Sequence, residues 1–199
     1  GDMTGKAVVP FIHQGGSNYR VTLLEQLFEI TNEDELTEMK KKVRSRGYYP
    51  YLTNPDEIKE LEKDPEKVSA IFSQEVLKVV QQWMEIAEKK LAGTGMKVYC
   101  CPGNDDMDEV DDVIRESRTV VLAEGEVVDL PSGHEMIASG WSNRTPWNTH
   151  REEDEDQLAA RYEAMISRLK NPQASIFNIH VPPFKSGLDE APELDKDLR

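Results

Sequence analysis

Cysteine is scarce in this sequence. Cys100 and Cys101 stand side by side and are the two it has; neighbouring cysteines seldom bridge, which excludes a disulfide-stapled scaffold. Long apolar runs are missing as well. No stretch approaches the roughly 20 residues that a membrane-spanning helix needs. Positive charge is in deficit: 24 Lys and Arg face 38 Asp and Glu, for a formal net charge of −14. That balance argues against a general nucleic-acid coat and against a binder of anionic membranes. No charged-then-apolar leader opens the chain, so the cytoplasm is the expected compartment. Internal repeats and low-complexity segments are lacking too.

The 199 residues suffice for one domain of ordinary size, or a large piece of one, with its own core. Lys6 to Phe11 is a short apolar run that could end a strand, with Pro10 at its edge. Tyr19 to Ile30 is apolar but ambiguous between strand and helix. Helical patterns dominate from Thr31 to Gly93, interrupted by an aromatic loop at Tyr48 to Tyr51. Asp64-Pro65 is a cap followed by a first-turn proline. The helix after it carries Val68, Ile71, Phe72, Val76, Val79, Val80, Trp83, Ile86, Ala87 and Leu91 at helical spacing, as a core face. From Met96 short strand patterns alternate with helices at Asp106 to Ser117 and Glu152 to Lys170, which argues for an α/β fold. The tail from Gly187 to Arg199 reads as polar loop.

Two apolar runs end in chemistry. Residues 98–106 (VYCCPGNDD) take a buried strand into Pro-Gly and then into Asn104, Asp105 and Asp106, with a helix following. In α/β sheets, ligands gather beyond the carboxyl ends of strands. Gly103 supplies a sharp turn there. An uncharged amide oxygen, carboxylates and a helix N-terminus suit metal-assisted phosphate chemistry. Residues 176–183 (IFNIHVPP) repeat the arrangement, delivering His180 at a strand end. Asp2, just ahead of the Lys6 run, is the third candidate.

Taken together, these segments resemble the calcineurin-like metallophosphoesterase family, whose motifs run DxH, GDxxD, GNH(D/E), a lone His after a strand, then GHxH. GDMTG (Gly1 to Gly5) is similar to the second, with Gly5 where its last acid usually stands; GNDD (Gly103 to Asp106) is similar to the third and the His180 segment to the fourth. The resemblance implies a four-layer αββα sandwich, here partial, in a single domain spanning 1–199 with 31–93 as a helical insertion. It implies two divalent metal ions (Mn, Fe, Zn or similar), with Asp2 bridging both and Asn104 and His180 binding the second. It also implies hydrolysis of a phosphomonoester or phosphodiester by a bridging hydroxide. Asp105 occupies the place of the family's catalytic His and would serve as an acid only with a raised pKa. Asp106 keeps the orienting carboxylate. DxH and GHxH are absent, since Gly133-His134 continues as Glu-Met; an internal fragment is the expectation. The rival reading is a non-catalytic remnant or interaction protein that keeps the sandwich, or a protein-binding cap at 31–93.

Other features read more plainly. An EF-hand starting at Asp105 fails, because Met107 and Val110 fall where an oxygen ligand and glycine are needed. Asp108, Glu109, Asp111 and Asp112 read as a solvated helix face. In SGWSNRTPW (Ser139 to Trp147), Asn143 and Arg144 could meet a phosphate and a tryptophan could stack on a leaving group, or the segment is a turn held by two tryptophans. His13, His134 and His150 read as surface or loop residues, and Cys100 and Cys101 as packing.

Overall fold

The computed structural model describes residues 1–190. Among the described residues the fold is mixed α/β, with several sheets and five α-helices. Contacts divide the chain into two compact units, Thr4–Glu85 and Gly1–Met3 together with the chain from Ile86 onward.

In the first unit, strands β1 (Ala7–Gly15), β2 (Asn18–Leu23), β3 (Gln26–Ile30) and β4 (Tyr48–Thr53) form one sheet in the order β3-β2-β1-β4. The Lys6 to Phe11 run therefore begins a strand rather than ending one. The Tyr19 to Ile30 ambiguity resolves into a hairpin, turned by Leu24 and Glu25 with φ of 50° and 65°. The expected aromatic loop at Tyr48 to Tyr51 is a strand parallel to β1. Aromatic residues favour a pleated, half-buried surface, and Pro50 is tolerated because β4 lies at the sheet edge. The segment 31–93 thus contains a strand as well as three helices: α1 (Glu33–Arg44), α2 (Pro55–Leu61) and α3 (Pro65–Leu91).

Helix α1 starts at Asn32, whose side chain caps the Glu35 amide. It lays Leu36, Met39 and Val43 against Val9, Phe11, Val21, Leu23 and Ile30 of the sheet. Helix α3 starts at the expected Asp64-Pro65, with the Asp64 carboxylate accepting from the Lys67 amide at 3.0 Å. Its buried face is narrower than the spacing predicts. Ile71, Val76, Val80 and Met84 are buried, whereas Val68, Trp83 and Ile86 are exposed.

The second unit carries the candidate residues. Strand β5 (Val98–Cys100) pairs in parallel with β6 (Val120–Leu122). A parallel bridge from Glu124 to Ala138 leads on to β8 (Glu135–Ser139), which pairs in parallel with β11 (Ile176–Ile179) and antiparallel with β7 (Val127–Asp129). Because β5, β6, β8 and β11 all run the same way, the segments following β5, β8 and β11 emerge at one end of the sheet. Strand β8 is buried throughout. Met136 and Ala138 pack with Cys101 and Ala123 on one face, and Ile137 packs with Met165 and Leu169 on the other. Helix α4 (Glu109–Arg115) follows the β5 loop, and α5 (Glu155–Ile166) follows a short parallel pair, β9 (Ser142–Asn143) and β10 (Glu152–Glu153). Of the tail read as loop, 191–199 lie outside the described residues.

One buried cation joins these loops. Arg151 is 2% exposed. Its guanidinium donates to both Asp111 carboxylate oxygens, at 2.8 and 3.2 Å. It also donates to the Asp106 and Met107 carbonyls at 3.1 and 3.3 Å. Its backbone N–H donates to the Asn104 carbonyl at 3.1 Å. Asp111, read from sequence as part of a solvated helix face, is instead a buried counter-ion. Removing one partner of such a pair strands the other charge. Arg151→Met is expected to lose about 3–5 kcal/mol of unfolding free energy in urea denaturation. A loss under about 1 kcal/mol, the range of an exposed pair, would contradict this account.

Candidate functional site

The three side chains that the sequence nominates for cation binding meet at the carboxyl end of the sheet. His180 is the residue after β11, and its backbone N–H donates to the Ser139 carbonyl at 2.8 Å, extending the β11–β8 ladder by one rung. Its imidazole Nε2 lies 2.7 Å from Asn104 Oδ1 and 3.5 Å from Asp2 Oδ1. Asp2 Oδ1 also accepts from the Asp105 backbone N–H at 3.2 Å.

The chain turns after Gly103 as expected, with the Asp106 N–H donating to the Gly103 carbonyl at 3.3 Å, but glycine is required there for a further reason. Its φ is not in the left-handed region. A Cβ there would instead collide with the Asp2 carboxylate and backbone nitrogen, so the missing side chain is the room Asp2 occupies. Gly140, just past β8, is constrained in the same way by the Pro102 carbonyl.

Asp106 is fully buried. Its carboxylate accepts from the Gly103 amide at 2.7 Å and from the Met3 amide at 2.9 and 3.0 Å. It therefore ties the segment carrying Asp2 to the loop carrying Asn104. Asp105 is exposed. Partial burial first, and then the Asp2 and Asp106 charges, push its carboxyl above the ordinary carboxylate value, with His150 pulling the other way. His150 is exposed, as its reading as a surface residue expects.

Sequence reasoning missed the residues behind Asn104. The Asn104 Nδ2 donates to Thr149 Oγ1 at 2.6 Å. Thr149 Oγ1 donates to Glu152 Oε1 at 2.6 Å, and the Thr149 backbone N–H donates to the same oxygen at 3.0 Å. Thr145 adds its hydroxyl and its backbone N–H. Glu152 had been assigned with its acidic neighbours to the start of a helix. It lies before α5, and the hydrogen bonds from Thr145 and then Thr149 hold its carboxyl down to about 2.

The remaining candidates have partners of their own. Arg144 pairs with Asp154 at 3.1 Å, and the Arg161 guanidinium lies 4.1 Å from the Trp141 ring centre. Trp141 thus packs against Arg161, and Trp147 is exposed. His134 Nδ1 bonds the Ala174 carbonyl and His13 Nε2 the Gly16 carbonyl. Cys101 donates its thiol to Glu124 at 3.2 Å. Burial, and then Glu124, raise its pKa, and burial raises that of Cys100. Neither is poised as a thiolate nucleophile.

Among the described residues no group of three or more His, Cys, Asp and Glu side chains is arranged to hold a metal ion. A cation here would need the Asn104 amide oxygen as a third donor beside Asp2 and His180. Two donors each about 2.1 Å from one ion, subtending roughly 80–110°, lie about 2.7–3.5 Å apart. The 2.7 and 3.5 Å separations of His180 Nε2 from Asn104 Oδ1 and Asp2 Oδ1 fall in that range, and the shorter one is also a hydrogen-bond distance. A groove of about 790 Å³ opens along Asn143, Leu158, Tyr162, Ile179, Val181 and Phe184. Two of these residues flank His180 in the chain.

No family model matches the chain, and no solved structure matches it. It is similar to an uncharacterised protein of Methanocaldococcus jannaschii, with 33% identity over 103 residues. The match covers 52% of this chain and 44% of that protein, so the chain spans less than half of its relative's length. No helix among the described residues is long and apolar enough to cross a membrane.

The Glu152 hydrogen bonds carry a pH signature. Its folded pKa of about 2 lies below the ordinary 4.5. Its stabilisation is therefore complete above about 4.5, fades as pH falls and is gone below about 2. Thermal melting followed by circular dichroism should show wild type losing Tm across that window more steeply than Glu152→Gln. Parallel curves would remove Glu152 as a contributor.

Proposed function

We propose that the protein is a metal-dependent phosphoesterase, with Asp2, Asn104 and His180 as ligands to a divalent cation. The observation that carries this reading is the meeting of a carboxylate, an amide oxygen and an imidazole at the carboxyl ends of parallel strands, their donor atoms aimed at one another. Oxygen and nitrogen donors of this kind suit Mn, Fe or Zn. Such a cation supplies Lewis-acid chemistry, offsetting charge on phosphoryl oxygens and making water a nucleophile at neutral pH.

The chain's own residues do the rest. Asp106 fixes the two backbone segments against each other through the Met3 and Gly103 amides. Glycine at 103 admits Asp2 to the cluster. Asp105 stands at its exposed side, where a leaving group would depart. The reading favours the αββα sandwich of the metallophosphoesterases, with β5, β6, β8 and β11 as the part of one sheet that presents the site. It concerns one cation on the described residues; a dinuclear centre needs donors beyond these three.

The test is hydrolysis of bis-p-nitrophenyl phosphate and p-nitrophenyl phosphate with and without added Mn²⁺. Metal-dependent turnover is expected, and Asn104→Ala and His180→Ala should each lower it on the order of 10²–10³-fold. Turnover that ignores both substitutions would overturn the assignment. Mn²⁺ binding without turnover would favour the non-catalytic alternative.

A further inference from the structure

A side-chain amide presents either an oxygen or an NH₂ group, and only the oxygen can ligate a cation. Something must decide which end of Asn104 faces Asp2 and His180. The Thr149 hydroxyl has one proton to give. Ionised Glu152 is an acceptor only, so that proton goes to Glu152, 2.6 Å away. The lone pairs left on Thr149 Oγ1 can then accept, and they do so from Asn104 Nδ2 at 2.6 Å. The amide is thereby locked with its NH₂ toward Thr149 and its Oδ1 toward His180 Nε2, 2.7 Å away. Glu152 cannot easily turn aside, because two backbone amides and two hydroxyls from Thr145 and Thr149 hold its two oxygens. In this orientation His180 Nε2 is the donor to Asn104 Oδ1, so without a cation the imidazole carries its proton on Nε2.

We infer that Glu152 and Thr149 are positioning residues, a carboxylate–hydroxyl relay that holds the Asn104 amide with its oxygen presented to a divalent cation beside Asp2 and His180. The inference rests on the metal-site reading above. The relay touches neither substrate nor cation. It acts by raising the cost of the reversed amide, which would aim an NH₂ group at the ion.

The test uses Thr149→Val, which removes the hydroxyl at nearly constant shape, and Thr149→Ser, which restores it. Mn²⁺ affinity is measured by isothermal titration calorimetry on each, with Asn104→Ala and His180→Ala alongside and thermal melting as the check on folding. Thr149→Val is expected to weaken Mn²⁺ by about 10–100-fold, as loss of a group orienting a ligand does elsewhere, while Thr149→Ser stays near wild type. Nitrogen-15 spectra of His180 without metal should show the Nε2–H tautomer in wild type and in Thr149→Ser, and a mixture in Thr149→Val. Thr149→Val binding Mn²⁺ like wild type, while Asn104→Ala does not, would overturn the relay and leave the metal site standing. So would Thr149→Ser binding as poorly as Thr149→Val. Unchanged affinity in Asn104→Ala and His180→Ala, or no Mn²⁺ binding by wild type, would overturn the site and the relay together.

Discussion

The arrangement at the sheet end depends on a buried guanidinium. Arg151 cannot lie in the interior unless its donors are met. Asp111 answers as a bidentate partner, and the Asp106 and Met107 carbonyls take further donors. These partners belong to the loop after β5 and the helix it enters, whereas Arg151 belongs to the segment before α5. One ion pair therefore brings together two stretches some forty residues apart in sequence. The neighbours of each partner come with it: Asn104 on one side, Thr149 and Glu152 on the other. A buried pair of this kind adds little net stability compared with apolar packing, but it tolerates few alternative arrangements of its loops.

Much of the candidate cluster was legible in the sequence, because strands that end in polar groups leave a strong local pattern. The VYC run into Pro-Gly-Asn and the IFNI run into His180 each locate a candidate ligand by their own periodicity, and parallel pairing brings the two ends together. The residues behind them left no such pattern. Glu152 sits in a run of acids that a helix dipole already explains, and the parallel bridge that lifts it out of the helix is a tertiary fact. Asp111 and Arg151 look like any two surface charges until they are seen to share an interior. The β2–β3 hairpin was hidden for a local reason: Leu24 and Glu25 adopt positive φ where a reader looks for glycine or asparagine.

The glycine at 103 serves the turn and a second constraint besides. Flexibility was the expected virtue, but the backbone there needs none. What matters is the absence of a side chain facing Asp2. Gly140 against Pro102 follows the same logic, so the loops at this end of the sheet approach more closely than residues with a Cβ would allow.

Strand β11 has one further consequence. Its first three residues are exposed, so burial exerts little hold on its alignment. Hydrogen bonding to β8 sets the alignment, and the last rung belongs to His180 itself. A slip by a single residue would turn the imidazole to the opposite face and leave it a bystander. Formation of the cluster is thus all-or-none, and any ligand gripping His180 would also proofread the pairing of the strand that carries it.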